Sequence, residues 1–328
     1  MDEQEMSMGE AIHLALDQAL AADERVFLLG EDIADPGASG PTGGLSTKHG
    51  ADRVLDTPIS EAAILGAAIG AAIDGMLPIP EIMIMDFIGI AADQIVNVAA
   101  KLRFMSGGRT TAPITVRTAV YGGLGTGATH SQTLEAWFMH TPGLKVIVPS
   151  TPRDAKGLLT TAIFDEDPCI FVEAVRTYGQ RGMVPVDAGF SIPLGQADIK
   201  KPGTDVTLIG YGRGLVEALG AAAQLEQDGV NAEVLDLRTL VPLDVPAMVE
   251  SVGRTKRAVV VHDAVQFAGP GAEIAAILQK ELFGELVAPV ERVGARFVPN
   301  PAAPALEAQV YPSADRIVAA VRQTLANA

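Results

Sequence analysis

Short apolar runs alternate along the chain with longer segments whose apolar residues recur three or four positions apart. That repeated pairing predicts strands joined by helices, and so an α/β architecture of mainly parallel sheets covered on both faces. Ser7 and Glu10 form a capping box that opens a helix to about Ala22. The strand Val26–Leu29 follows and ends at Gly30-Glu31-Asp32. The Gly-, Pro- and Ser-rich segment from Ala34 to Ser46 reads as a long loop, of the kind that in compact domains is usually functional. From Thr57 the chain reads T-P-I-S-E, continues as a small-apolar helix from Ala62 to Ile73, passes through a hydrophobic strand from Ile79 to Met85 and stops at Asp86-Phe87.

The alternation continues with a helix from about Ala91 to Ser106, stopped by Gly107-Gly108, and a strand from Ile114 to Val120. A helix is expected over Ser131 to His140 and a strand over Lys145 to Val148. Thr151-Pro152 supplies an N-cap with proline at the first helical position, opening a helix to about Phe164, and Ile170 to Glu173 is a strand. Between Thr177 and Gly203 the pattern loosens into glycine, proline and mixed charge. This divides the chain into a domain over 1–180, a linker over 181–202 and a smaller α/β domain over 203–328. The second domain shows strands at Val206–Gly210, Glu233–Leu237 and Ala258–Val261. Its helices run from about Gly214 to Asp228 and near Val245, Ala272 and Ala314.

Composition adds limits. With 328 residues, 48% apolar and 20% charged, the chain has enough apolar side chains for two cores. Its 24 basic and 40 acidic residues give a net charge of -16, which repels phosphate backbones and anionic lipid, so neither nucleic acid nor membrane is an expected partner. The opening Met1-Asp2-Glu3-Gln4-Glu5 has no basic region before an apolar core, and no apolar run is long enough for a bilayer; a cytoplasmic location is expected. Cys169 is the one cysteine and lies in the apolar strand C-I-F-V-E, where an inert core thiol is expected. The five histidines lack H-x-x-x-H and H-E-x-x-H spacing, which argues against a transition-metal site built by this chain alone.

Candidate chemistry gathers in two stretches. Glu61 follows Ser60, a candidate N-cap, so its carboxylate falls in the first turn of the Ala-rich helix. It is either a capping carboxylate stabilised by the helix dipole or a desolvated acid able to exchange a proton with a ligand nitrogen. Phe87 ends an apolar strand, where α/β folds bind ligands, and is either core or a stacking platform; Asp86 beside it could cap the next helix. Tyr121-Gly122-Gly123-Leu124-Gly125-Thr126-Gly127 precedes His130-Ser131-Gln132. Its glycines allow positive φ or close approach of a ligand. His130 is then either a helix-end hydrogen-bonding residue or a proton donor and anion binder near neutral pH. Gly210-Tyr211-Gly212-Arg213-Gly214 opens like a dinucleotide fingerprint but has Leu215 and no final glycine, and reads as a tight strand-to-helix turn.

Taken in order, T-P-I-S-E (57–61), M-D-F (85–87), K-L-R-F-M-S-G-G (101–108), T-H-S-Q (129–132), P-G-L-K-V-I-V-P-S (142–150) and D-A-K-G-L-L (154–159) span essentially the whole chain. They resemble the beta subunit of the thiamine-diphosphate-dependent decarboxylating component of 2-oxo acid dehydrogenase complexes. The resemblance implies a transketolase-like pyrimidine-binding domain followed by a transketolase C-terminal-type domain. It implies that Glu61 hydrogen-bonds the aminopyrimidine of the cofactor, that Phe87 stacks on it with Met85 alongside, and that His130 lies near the thiazolium and substrate. It further implies a structural potassium site from Ile114, Ala162, Ile163, Asp165 and Asp167, although Asp167 replaces an asparagine often seen there. The G-D-G motif with a later asparagine pair, which binds magnesium and diphosphate in this superfamily, does not occur. The resemblance therefore implies an alpha subunit that supplies it, a heterotetramer of two alpha and two beta chains, and a lipoyl-bearing acyltransferase core as acceptor. Thr129 stands where many relatives carry glutamine. Pyruvate and branched-chain 2-oxo acids are the substrates implied. Asp86-Phe87-Ile88-Gly89 resembles acetoin-cleaving relatives and keeps that reaction open as an alternative, beside a split transketolase half or a non-catalytic scaffold subunit.

Overall fold

In a computed structural model, residues 2–34 and 40–326 are described. The chain divides into two compact units, Met1–Val120 with Trp137–Leu194, and Tyr121–Ala136 with Gly195–Ala328. Of the long loop expected over Ala34–Ser46, residues 35–39 lie outside the described residues, and Leu45–His49 forms a short helix.

In the first unit six parallel strands lie in the order Lys145–Ile147, Cys169–Ala174, Thr115–Val120, Leu77–Ile82, Val26–Gly30 and Val54–Asp56. Their side chains are buried along most of their length, as covered parallel sheets require. Leu28, Ile79 and Phe171 pack with Met8, Ile12 and Leu16 of the helix Met8–Ala22 and with Leu158 and Leu159 of the helix Pro152–Ile163. Both helix starts follow the sequence. The Ser7 hydroxyl accepts from the Glu10 N–H at 3.2 Å while Glu10 Oε2 accepts from the Ser7 N–H at 2.6 Å, and Thr151 accepts from the Asp154 N–H ahead of Pro152.

Four local expectations change. The strand read as Ile79–Met85 is Leu77–Ile82, and Met85–Gly89 is a 3-10 turn in which the Phe87 N–H bonds the Ile84 carbonyl at 2.9 Å. The helix expected over Ala91–Ser106 has a π-helical middle, Gln94–Ala99, before Ala100–Met105. Part of the stretch read as a linker, Arg181–Pro185, pairs antiparallel with Glu3–Ser7 in a two-stranded sheet. The helix expected over Ser131–His140 is confined to Glu135–Met139. Its first turn cannot form because the Ser131 carbonyl already accepts from Tyr311 Oη and Asn300 Nδ2, each at 2.8 Å.

A buried charge network crosses the first sheet. Arg117 is 2% exposed; its Nε and Nη2 donate to Glu173 at 2.7 and 3.0 Å, and its Nη1 donates to Glu81 at 2.5 Å. Tyr178 donates its hydroxyl to the same Glu173 carboxylate at 2.5 Å. Burial alone would drive the guanidinium toward its neutral form, but the two carboxylates more than offset it and hold the charge. Burial still raises the Glu81 carboxyl above its ordinary value.

In the second unit the order is Glu291–Ala295, Ala258–Val265, Val206–Gly210, Ala232–Asp236 and Asp198–Lys201, parallel except for the last strand. Leu208, Val234 and Val259 pack with Leu215, Ala218 and Ala222 of the helix Gly212–Gln227 and with Ile317 and Val321 of the helix Ala314–Ala326. The expected tight turn at Gly210–Gly214 is present, and a Cβ on Gly214 would lie 3.0 Å from the Val261 carbonyl oxygen. The strands Asp198–Lys201 and Glu291–Ala295 escape the hydrophobic pattern because both lie at sheet edges and carry charge. Among the described residues no helix is long and apolar enough to cross a membrane.

Candidate active site

In the first unit the candidate residues cluster where parallel strands end. The strands Val26–Gly30 and Leu77–Ile82 are neighbours, so Glu31 and the turn holding Met85 and Phe87 both follow their carboxyl ends. Ligands of open α/β sheets bind there. The Thr57 N–H bonds the Gly30 carbonyl at 2.9 Å and draws T-P-I-S-E to the same edge. Glu61 is the first residue of the helix Glu61–Ile73 and is 5% exposed. Ser60 precedes the helix, but its hydroxyl makes no capping bond. The Glu31 carboxylate instead accepts from the Ser60 N–H, and its pKa is raised by burial, then by Glu61 and Asp32. Met85 is fully buried and Phe87 half-buried. The arrangement offers a buried carboxyl at a helix start, a second acid whose pKa burial raises, and an aromatic ring. Such a donor set fits an aminopyrimidine. Glu31 has no motif of its own, and its place at the site comes from the helix start at Ser60 and Glu61.

The Ala162 carbonyl accepts from the N–H groups of Phe164 and Asp165 and from Thr115 Oγ1. The Ile114 carbonyl accepts the Cys169 N–H at 2.9 Å. Lys145 Nζ lies 2.6 Å from both Asp165 oxygens, and Arg103 Nε lies 2.6 Å from Asp167. Ile163 is buried in the core. Side-chain cations thus balance the acids of this turn. Among the described residues no group of three His, Cys, Asp or Glu side chains is placed to hold a metal ion.

The second unit carries His130 and the Gly-rich segment before it. Gly123, Gly125 and Gly127 have φ of 87°, 73° and 81°. Alternating left-handed residues turn N–H groups toward a common concavity suited to an anion. That anion is Glu307: its Oε1 accepts from Gly123 and its Oε2 from Gly125, both at 2.8 Å, and the side chain is 3% exposed. These N–H groups are therefore not a phosphate cradle. Nothing in the sequence near position 123 signals a partner so far along the chain. Thr126 Oγ1 donates to the His130 carbonyl at 3.0 Å, and Thr129 Oγ1 lies 3.0 Å from His130 Nδ1. Beside Ser131–Leu134 a cavity of about 340 Å³ is lined by Asp263, Arg296, Asn300 and Tyr311 among others.

Behind this segment Glu135 is sealed from solvent and accepts from the Tyr211 hydroxyl at 2.8 Å. Burial pushes its carboxyl up to about 7, against the opposing pull of that hydrogen bond. His262 is likewise sealed, stacked on Tyr211 with ring centroids 6.3 Å apart, and burial lowers it to about 4.

Comparison with known proteins identifies the family. Residues 4–180 match the transketolase pyrimidine-binding domain and residues 195–317 the transketolase C-terminal domain. The chain is 46% identical to the beta subunit of acetoin:2,6-dichlorophenolindophenol oxidoreductase of Cupriavidus necator, over 98% of this chain and 97% of that one. It is 42% identical to the beta subunit of 2-oxoisovalerate dehydrogenase of Bacillus subtilis, over 97% and 98%. To the mitochondrial pyruvate dehydrogenase E1 beta subunit of Caenorhabditis elegans it is 43% identical, over 98% and 92%. A split-gene transketolase, solved as an inactive beta4 tetramer, shares the fold with a TM-score of 0.79 at 24% identity over 98% of this chain and 99% of that one. With both transketolase-type domains in order and relatives of this identity along its length, the chain belongs to the beta subunits of the acetoin, pyruvate and branched-chain 2-oxo acid dehydrogenases.

Proposed function

We propose that this chain works with an alpha subunit, as two alpha and two beta chains, in the oxidative decarboxylation of pyruvate or a branched-chain 2-oxo acid. The acyl group passes to a lipoyl group on an acyltransferase core. Thiamine diphosphate, when bound, supplies the electron sink that decarboxylation needs. Glu61, Phe87 and Met85 would hold the aminopyrimidine, Glu61 as the group that exchanges a proton with its N1′ and Phe87 as the aromatic surface, and His130 would hold or deliver a proton at the substrate oxygen. Burial, then Glu61 and Asp32, raise the Glu31 carboxyl above its ordinary value at the same edge. The alpha subunit holds magnesium and the diphosphate; the occupation of the Gly123 and Gly125 N–H groups by Glu307 supports that division.

The observation that carries this reading is the buried Glu61 carboxylate beside Glu31 at the carboxyl edge of the parallel sheet. Glu61→Gln keeps the shape and removes the titratable proton. In the assembled enzyme it should lower turnover by about 100-fold or more with the fold intact, and near-wild-type turnover would refute the role.

Acetoin cleavage is the second reading. Two acetoin oxidoreductase beta subunits, from Cupriavidus necator and Bacillus subtilis, are 46% and 45% identical to this chain, and Asp86-Phe87-Ile88-Gly89 points the same way. Turnover of pyruvate, branched-chain 2-oxo acids and acetoin by one assembled preparation separates the two.

A further inference from the structure

We propose that Glu307 is the positioning residue of His130, fixing the Gly-rich segment 122–127 with its carboxylate and, through Thr126, the backbone of the histidine. The proposal rests on the catalytic reading of His130 and adds a residue far from it in sequence.

The geometry runs in one direction. Both Glu307 oxygens are spent on the segment, one on the Gly123 N–H and one on the Gly125 N–H, and almost none of the side chain is exposed. A bidentate ionic contact to two N–H groups in alternating left-handed backbone sets the curvature of the segment as well as its place. The residue after Gly125 is Thr126, whose hydroxyl reaches the His130 carbonyl at 3.0 Å and Ser131 Oγ at 2.6 Å. Ser131 is then held from the far side, its carbonyl taking Tyr311 Oη and Asn300 Nδ2. Packing supports the same contact: a Cβ on Gly125 would come 3.2 Å from the Ala302 carbonyl, and one on Gly122 would overlap the Tyr311 hydroxyl. His130 is thus carried on backbone pinned on both sides by Asn300, Glu307 and Tyr311. The histidine itself is partly open to solvent. A half-buried imidazole on a glycine-rich segment would otherwise sample more positions, and proton transfer requires hydrogen-bond reach of the reacting group.

Glu307→Gln leaves an oxygen for one N–H and turns an amide NH2 against the other. The test combines Glu307→Gln, His130→Ala and the double variant, each assembled with the alpha subunit, and amide hydrogen exchange at Gly123 and Gly125 in the full chain. Glu307→Gln should speed exchange of at least one of the two amides about tenfold, in line with one lost bond. It should lower kcat about tenfold at nearly unchanged KM and add nothing to the loss in His130→Ala, as residues acting as a unit do. Equal losses in both backgrounds, or unchanged exchange, would overturn the proposal. If His130→Ala turned over normally, the catalytic reading of His130 would fall by itself, and with it the proposed role of Glu307 in positioning a catalytic group. Faster exchange in Glu307→Gln would then still uphold the carboxylate contact. Should Glu307→Gln fail to fold, Thr126→Val removes the hydroxyl that bonds the His130 carbonyl and Ser131 Oγ and tests the link; its kcat should fall, and full turnover would overturn the path through Thr126.

Discussion

Tyr211 donates its hydroxyl to the Glu135 carboxylate at 2.8 Å, and neither side chain is more than 3% exposed. The consequence is a pH-dependent stability with a defined sign. Glu135 moves from its ordinary value of 4.5 to about 7 on folding, chiefly through burial, so between those values the folded chain binds more protons than the unfolded one. Its contribution is greatest below 4.5 and is lost as pH rises to 7. His262, also mainly through burial, moves from 6.5 to about 4, so its contribution rises with pH across that range. The two nearly cancel where they overlap. Glu135→Gln should unmask the histidine: its unfolding free energy relative to the parent should rise between pH 4.5 and 7, by up to about 1.4 kcal/mol per pH unit. A difference that stays flat across that window in urea titrations would exclude the buried Glu135.

The triad of Arg117, Glu81 and Glu173 should be unforgiving. Removing the guanidinium in Arg117→Met leaves two acids buried without a cation, and a loss of about 3–5 kcal/mol is expected. Glu81 is the less buried acid of the two, so Glu81→Gln should cost less than Glu173→Gln. Denaturant unfolding of the three variants checks both the size and the order.

Cys169 is fully buried, and burial raises its thiol well above the ordinary value. The native chain should therefore resist a thiol-alkylating reagent at pH 8 that modifies the urea-unfolded chain within minutes. Mass spectrometry after a timed exposure reads the difference; rapid native labelling would mean that the strand Cys169–Ala174 opens.

The α/β alternation was legible because most parallel strands and their covering helices keep their own periods, as in Val26–Gly30 and Val206–Gly210. Caps were legible for the same local reason, Ser7 with Glu10 and Thr151 with Pro152. What was not legible depends on residues distant in sequence. Ser131–Leu134 has a helical pattern, yet Tyr311 and Asn300 take the carbonyl that would begin the helix. Arg117 interrupts an apolar strand and gives no local sign that Glu81 and Glu173 meet it. At the candidate site Glu61 and Phe87 could be singled out from the motif and the strand end. Glu31 and Glu307 could not, because their roles come from a neighbouring helix start and from a loop 182 to 184 residues upstream. The acids of the turn after Ala162 likewise give no local sign that Lys145 and Arg103 pair with them.

The central claim is that this chain supplies the pyrimidine half of a thiamine diphosphate site and that a second chain completes it. The most direct measurement is substrate-dependent reduction of an artificial electron acceptor by this chain alone, by a candidate alpha subunit alone and by the two co-expressed, with and without thiamine diphosphate and magnesium. Turnover that appears only in the pair, and only with both additions, is the predicted result. Turnover by this chain without a partner would contradict the account.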